Sequence, residues 1–258
     1  MRTTAILNLK GGVAKTTTAI NMAAILAQHY GAKVLLVDAD SQCNLTEFFG
    51  VDPEEGNLAQ LLRHADHEDP GQLGAGLIQK TDYVNIQLLP GDETLMDMDL
   101  SKVETGSADA AVLRKLSEQV KDLYDYIIID CPPAFNAASA AALMAADDVV
   151  IPIKLDAFSL RGMGNLLHQI YNMRQINPLL KMAGCLPTMW YRSQQNQGAE
   201  DQLIAAGLNV YPHIRRSDKV DRMTWQQDPL LISSPNSAAG VDYKRFVRAY
   251  VRGGSGNG

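Results

Sequence analysis

Short apolar runs alternate with longer helical segments along most of the chain. Continuous runs of Val, Ile and Leu predict strands at residues 3–8, 33–38 and 126–130. Between the first two, an alanine-rich segment at 15–30 predicts a helix that Gly31 ends. A strand, a helix and another strand in succession form a βαβ unit, whose crossover joins parallel strands. The N-terminal part of the chain is therefore predicted to build a parallel sheet.

The same alternation continues towards the C-terminus. It predicts further strands at residues 84–89, 148–153, 182–189 and 208–214, and helices at 107–122, 136–146, 159–176, 194–206, 217–227 and 237–251. Unbroken apolar strands are buried on both faces, so helices are expected on both sides of the sheet. The pattern predicts a doubly wound α/β fold with a mostly parallel sheet. Residues 66–76, with Gly, Pro and acidic residues, are expected to be among the least structured.

Length and composition are those of one globular domain. A chain of 258 residues that is 46% hydrophobic and 20% charged is neither disordered nor fibrous. We expect a single domain at 1–252 and a flexible tail at 253–258. The apolar runs are shorter than the roughly 18 residues of a membrane-spanning helix, so none is expected, and the N-terminal residues are not expected to be a signal peptide. Three distant cysteines without a CxxC pair indicate reduced thiols, so a cytoplasmic protein is expected.

The turn between the first strand and the first helix is a candidate phosphate site. Amides at a helix N-terminus attract anions, and adjacent glycines allow the backbone to curve around phosphate oxygens. Lys15 would contact the β- and γ-phosphates, and the Thr16 hydroxyl would bind Mg²⁺. The standard P-loop pattern is not met, because Leu9 and Ala14 replace its glycines, and an ordinary glycine turn is the alternative. The predicted nucleotide-binding residues are Lys10, Gly11, Gly12, Val13, Ala14, Lys15, Thr16 and Thr17.

Three aspartates follow the ends of predicted strands. Asp38 and Asp40 end the second strand, and Asp130 ends the strand at 126–130. Because ligands bind beyond the carboxyl ends of parallel strands, these side chains are expected in the same crevice as the glycine turn. Magnesium takes carboxylates, hydroxyls and phosphate oxygens, so Thr16, Asp38 and Asp130 are the predicted metal ligands. Asp40 suits a contact to the attacking water. The alternative is that the aspartates only cap turns.

The run Lys-Gly-Gly-Val-Ala-Lys-Thr-Thr at 10–17 resembles the deviant Walker A motif of the ParA/MinD family of ATPases. Asp40 matches the family's Walker A′ aspartate, and Asp130, in Asp-Cys-Pro-Pro, matches its Walker B aspartate. Ala14 and Ser41 replace the Gly and Pro that the family usually has. The resemblance covers nearly the whole chain. It implies a P-loop fold, ATP and Mg²⁺ as cofactors, and catalytic roles for Lys15 and Asp40 in hydrolysing ATP to ADP and phosphate.

The resemblance also assigns roles to Lys10 and Pro212. In the family, a lysine at the position of Lys10 reaches the nucleotide of a second subunit. Lys10 is therefore expected to act catalytically across a homodimer that forms with ATP; a solvated loop lysine is the alternative. Pro212 stands where the family contacts adenine.

Positive charge is concentrated near the C-terminus of an acidic chain. The net charge is −6, yet residues 211–258 hold eight Lys/Arg and four Asp/Glu. Clustered basic residues bind DNA phosphates without reading bases, and partition-type family members bind nonspecific DNA near this end. A solvated helix face is the alternative. The predicted DNA-binding residues are Arg215, Arg216, Lys219, Arg222, Lys244, Arg245 and Arg248.

The resemblance implies a ParA-like partition or positioning ATPase. ATP would close a dimer that binds DNA and associates with the nucleoid, and hydrolysis stimulated by a ParB-like protein or cargo adaptor would release it. A MinD-like membrane ATPase is an alternative, but residues 248–254 are too poor in Leu and Phe for a membrane-binding helix, so no membrane is expected. An iron–sulfur carrier would need a cysteine pair. A degenerate nucleotide-binding scaffold remains open because of Ala14 and Ser41.

Overall fold

A seven-stranded sheet forms the centre of the computed structural model, which describes residues 1–63, 69–104 and 109–254. Within these ranges the strands are β1 (Arg2–Ile6), β2 (Val34–Asp38), β3 (Gln79–Lys80), β4 (Ile86–Leu89), β5 (Tyr126–Asp130), β6 (Asp148–Lys154) and β7 (Lys181–Thr188). Their order across the sheet is β3-β4-β2-β5-β1-β6-β7. The β3–β4 pair is antiparallel and the other neighbouring strands are parallel. The predicted doubly wound α/β fold is confirmed.

Helices cover both faces of the sheet. They are α1 (Lys15–Tyr30), α2 (Asn44–Phe49), α3 (Leu58–Arg63), α4 (Pro70–Gly76), α5 (Leu100–Glu104), α6 (Val112–Val120), α7 (Ala137–Ala145), α8 (Ala157–Met173), α9 (Gln194–Ala205), α10 (Asp218–Gln226), α11 (Leu230–Ser233) and α12 (Ala238–Gly254). Two short 3₁₀ helices lie at Pro53–Glu55 and Glu93–Asp97. In the described parts of the chain, no helix combines the length and apolar character that crossing a membrane requires.

The core lies in two layers, one on each side of the sheet. Along β2, Leu35 and Val37 pack into one layer, whereas Val34 and Leu36 pack into the other. Side chains of a strand alternate between faces, so a strand apolar at every position must be covered twice. Helices α6, α7 and α8 contribute to the first layer, and α1 and α12 contribute to the second.

Two of the predicted elements match the observed boundaries at both ends. The helix predicted at 15–30 and the strand predicted at 126–130 coincide with α1 and β5. The last helix reaches Gly254, two residues into the predicted tail, and residues 255–258 lie outside the described ranges. The helix predicted at 107–122 is observed from Val112 to Val120, and the start of that prediction falls outside the described residues.

The strand predicted at 208–214 is wrong. Residues 208–214 are all described, and they form only an isolated bridge, between Val210 and Cys185. Cys185 donates to the Asn209 carbonyl and accepts from the Tyr211 amide, both at 2.8 Å, but the next β7 residue that would donate to this segment is Pro187. Proline has no amide hydrogen, so the ladder cannot continue through it. This segment is therefore held against β7 by separate hydrogen bonds.

The low order expected for residues 66–76 is contradicted over residues 70–76, which form α4. Asp69 caps this helix, since its Oδ1 accepts from the Gln72 amide at 3.0 Å, and Pro70 occupies the first turn. A Cβ added to Gly74 would lie 3.0 Å from Leu61, so glycine permits close helix packing here. Residues 64–68 lie outside the described ranges.

Candidate functional site

The loop between β1 and α1 forms an open cradle of backbone. Gly12 and Ala14 both adopt left-handed conformations, with φ of 69° and 70°. A Cβ added to Gly11 or Gly12 would meet no described heavy atom within 4 Å, so the loop backbone faces open space. The N-cap of α1 is Ala14, whose methyl group cannot accept a hydrogen bond from the first-turn amides. Exposed amides at a helix N-terminus are suited to binding an anion.

Lys15 brings a buried positive charge to this cradle. Its Nζ donates to the Lys10 carbonyl at 3.3 Å, and the side chain lies near the carboxylates of Asp130 and Asp40. Burial lowers the pKa of Lys15, while the two carboxylates oppose that shift. A desolvated ammonium group beside an open cradle can interact strongly with phosphate oxygens.

Asp130 and Thr16 form a pair with an unused oxygen. The Thr16 hydroxyl donates to Oδ2 of Asp130 at 2.6 Å. The other carboxylate oxygen, Oδ1, is buried and has no hydrogen-bond partner among the described residues. Burial and the nearby charge of Asp38 raise the pKa of Asp130 well above its ordinary value. An unpaired buried carboxylate oxygen is costly and is well suited to an Mg²⁺ ion or its bound water.

Asp38 and Asp40 occupy different environments. Asp40 lines the cleft beside the cradle, and its Oδ1 accepts from the Gln42 amide at 3.1 Å. Asp38 is fully buried and accepts from the amide and hydroxyl of Thr46, both at 2.8 Å. Burial raises the pKa of Asp38 to about 6. These bonds connect β2 to α2, so Asp38 organises the loop, and its predicted role as a metal ligand stays a prediction.

The cradle opens into a cleft of about 1040 Å³. Its lining includes most of the predicted loop residues, namely Gly11, Gly12, Ala14, Lys15, Thr16 and Thr17. Val13 is buried, and its carbonyl accepts from Thr188 at 3.1 Å. Pro212 is exposed and does not appear among the described lining residues, so its contact with adenine stays a prediction.

Sequence reasoning missed several residues of the cleft, and three of them lie at or just after strand ends. Met189 and Tyr191 follow β7, and Lys154 ends β6. Their position directly at or after strand ends was the available signal, since the carboxyl edge of a parallel sheet collects binding residues. Met189 has a left-handed φ of 51°, an uncommon conformation for a side chain of this kind, which places it at the cleft wall.

Lys10 points to α8. Its Nζ contacts both carboxylate oxygens of Asp156, at 2.9 and 2.8 Å, and the Ser159 hydroxyl at 3.0 Å. Burial raises the pKa of Asp156, but the hydrogen bonds from Lys10 and Ser159 outweigh burial and hold this pKa at about 2. Lys154 lies nearby, with its Nζ 3.8 Å from Oδ2 of Asp156. Two lysines thus flank one carboxylate at the rim of the cleft.

The basic residues near the C-terminus are divided between structural and exposed positions. Arg215 makes two bonds to the buried carboxylate of Asp242, at 2.7 and 2.9 Å. Lys219 pairs with Asp218 and Lys244 donates to a backbone carbonyl. Other contacts join Arg222 to Gln226 and Arg245 to Asp242. Arg216 and Arg248 are exposed. DNA binding by the seven predicted residues stays a prediction.

The chain is similar to bacterial proteins named for sporulation control and for chromosome partitioning. Residues 1–182 match the AAA domain family. The chain is 38% identical over 186 residues to the sporulation initiation inhibitor protein Soj of Bacillus subtilis, covering 72% of this chain and 71% of Soj. It is 31% identical over 260 residues to the chromosome partitioning protein ParA of Caulobacter vibrioides, covering 97% and 94% of the two chains. The chain belongs to the ParA/MinD family.

Members of the ParA/MinD family are P-loop ATPases, which agrees with the cradle described above. Among solved structures, a cobyrinic acid a,c-diamide synthase from Mycobacterium smegmatis, with an ATP analogue and magnesium bound, superposes with a TM-score of 0.83. It is 29% identical in sequence, and the alignment covers 99% of this chain and 96% of the synthase. Nucleotide and Mg²⁺ therefore bind within this family on the same fold.

Proposed function

We propose that this ParA/MinD family protein binds Mg-ATP at residues 10–17 and hydrolyses it to ADP and phosphate in a partition or positioning cycle. The observation that carries the proposal is the buried, unpaired Oδ1 of Asp130, which lies beside Thr16 at the open cradle. A protein interior does not leave such an oxygen unpaired without a reason, and a hydrated Mg²⁺ ion provides one.

Each part of the site has a role in this proposal. The loop amides and Lys15 would bind the phosphates, while Thr16 and Asp130 would hold the metal. Bound Mg²⁺ would neutralise charge on the β- and γ-phosphate oxygens. Asp40, oriented by its bond from the Gln42 amide, would orient the water that displaces ADP from the γ-phosphorus. Positioning and charge stabilisation are the main requirements of phosphoryl transfer.

Calorimetric titration with Mg-ATP tests nucleotide binding. We expect Lys15→Ala to weaken binding about 100-fold, since it removes charge-assisted hydrogen bonds to the phosphates. Lys181→Ala is the matched control, because Lys181 is exposed at the start of β7, at the opposite edge of the sheet. Equal affinity for wild type and Lys15→Ala would exclude this site.

Lys10 is proposed to act across a dimer. Its side chain is directed to α8 and not to the cradle that its own backbone helps to form. The sequence relatives Soj and ParA are named for sporulation control and chromosome partitioning, which favours a partition cycle with ATP-dependent dimerisation. The synthase shares the fold but has a different named activity, so the fold alone does not select the function.

Nonspecific DNA and a stimulating partner protein complete the proposed cycle. Arg216 and Arg248 are the best candidates for DNA contacts, because both are exposed, whereas the exposed Arg222 and Arg245 contact Gln226 and Asp242. Retention on DNA with Mg-ATP is expected to fall on Arg248→Glu and with rising salt. Arg114→Glu is the control, because Arg114 is an exposed arginine on α6. Retention that is the same with ADP and ATP would exclude the ATP-controlled DNA step.

The MinD-like membrane alternative is not favoured by α12. Its aromatic residues are Tyr243, Phe246 and Tyr250, and all three are buried against the body of the protein. A membrane-binding helix must present such residues to the lipid. Within the described residues, α12 therefore uses its apolar face for packing.

A further inference from the structure

Lys154 and Lys10 share one carboxylate. The Nζ atoms of Lys10 and Lys154 lie 2.8 and 3.8 Å from the same oxygen, Oδ2 of Asp156. The side chain of Lys154 is 51% exposed, that of Lys10 is 37% exposed and that of Asp156 is 29% exposed. Lys154 also lines the nucleotide cleft, whereas the cleft lining in the described chain does not include Lys10. Lys10 therefore binds the carboxylate directly, whereas Lys154 lies beside it and faces the cleft.

Lys10 has no donor left for a phosphate in this arrangement. An ammonium group has three N–H donors. Three acceptors surround it, namely the two oxygens of Asp156 and the hydroxyl of Ser159. To reach the nucleotide of a second subunit, Lys10 must first leave Asp156.

Departure of Lys10 would leave Oδ2 of Asp156 without its direct partner. Oδ1 would keep the amide and hydroxyl of Ser159, at 2.9 and 3.0 Å. Within the described ranges, Oδ2 is approached only by the two lysines. A shift of Lys154 by about 1 Å would bring its Nζ to hydrogen-bond distance. Lys154 is therefore placed to replace Lys10.

We propose that Lys154 is a positioning residue that takes over Asp156 when Lys10 leaves it, and so promotes the ATP-dependent dimer. The inference rests on the proposed trans role of Lys10. Lys154 repels Lys10 while both lie beside Asp156, and it neutralises the carboxylate afterwards. Both effects lower the free energy needed to release Lys10.

Sedimentation of the full chain with Mg²⁺ and a non-hydrolysable ATP analogue tests the exchange. Lys154→Met is expected to raise the dimer dissociation constant roughly two- to fivefold, the range for a partly exposed ion pair. Lys154→Arg is expected to restore it, because the charge returns. Lys181→Met controls for loss of a lysine far from the cleft.

A double-mutant cycle separates this role from direct contact with the nucleotide. In an Asp156→Asn background no carboxylate holds Lys10, so adding Lys154→Met is expected to have no further effect. An equal loss in both backgrounds, or no loss in the single variant, overturns the exchange. Lys10→Ala tests the underlying trans role separately. If this variant dimerises as wild type does, the trans role of Lys10 is wrong, and the proposed exchange is wrong with it.

Discussion

At the scale of single residues, Ala14 is the clearest departure from what local physics favours. Its φ of 70° and ψ of 37° place a residue with a Cβ in the left-handed region. Such a conformation costs an alanine about 1–2 kcal/mol, and glycine avoids this cost. The strain lies in the loop between β1 and α1, where the surrounding structure fixes the backbone path. Strain of this kind is commonly found at binding sites.

Ala14→Gly is therefore expected to stabilise the protein without nucleotide. We expect the free energy of unfolding to rise by about 0.5–1 kcal/mol, since relief of strain exceeds the entropy that glycine adds to the unfolded chain. Urea denaturation measures it. Ala249→Gly, inside α12, is the control and should destabilise by about 1 kcal/mol, because glycine is a poor helix former. Destabilisation by Ala14→Gly would show that the left-handed conformation carries no strain.

The Lys10–Asp156 pair should give a pH-dependent contribution to stability. The pKa of Asp156 is about 2 in the folded protein, below its ordinary value of 3.8. A lowered carboxylate pKa stabilises the fold above pH 3.8, and this contribution disappears as pH falls towards 2. Asp156→Asn is a suitable variant because asparagine can still cap the N-terminus of α8. The stability difference between wild type and Asp156→Asn, from urea denaturation, should be below about 1 kcal/mol at pH 7 and shrink by pH 3. A difference independent of pH would contradict an ionic origin.

At the scale of elements, one salt bridge fixes α12 to the loop before α10. Arg215 contacts both oxygens of Asp242, whose side chain is only 3% exposed. The sequence suggested a DNA contact for Arg215 because it lies in a run of basic residues. Such a run does not reveal which of its members is paired with an acidic residue elsewhere in the chain. Asp242 is 27 positions away along the chain, and only the packing of α12 brings the two together.

Arg215→Ala is expected to destabilise the protein by about 1–3 kcal/mol, because the buried carboxylate of Asp242 then keeps only the backbone amide of residue 215, at 3.1 Å, and Arg245, at 3.8 Å. Arg248→Ala, on the exposed face of the same helix as Asp242, should change stability by less than about 0.5 kcal/mol. Guanidinium denaturation of both variants measures the contrast. If both variants unfold at the same denaturant concentration as wild type, the pair does not hold α12.

At the scale of the whole molecule, the sequence predicts best what depends on local pattern. The βαβ unit, the buried strands and the glycine turn between β1 and α1 follow from apolar runs and from the position of two glycines. The strand prediction at 208–214 fails because Pro187 of β7 cannot donate the next ladder hydrogen bond to this strand-like segment. The helix α4 was missed because a segment with several glycines was interpreted as unstructured. In the fold, Gly74 instead allows α4 to pack closely against Leu61. The difference between Asp38 and Asp130 depends on Thr46 and Thr16, partners that spacing does not identify.

Mg-ATP is expected to stabilise the entire fold, because the cleft joins elements from both ends of the chain. Its lining combines the loop before α1 with residues after β7 and residues on α10. A ligand present at 100 times its dissociation constant adds about 2.7 kcal/mol to the free energy of unfolding. For a domain of this size, the melting temperature should rise by about 5–10 °C. In calorimetric melting, the rise in melting temperature with ATP should be smaller when Mg²⁺ is absent. Thr16→Ala should remove most of this dependence on Mg²⁺ and keep part of the rise that ATP causes. A melting temperature that ATP leaves unchanged, with or without the metal, would mean that the cradle and the unpaired oxygen of Asp130 do not form a nucleotide site.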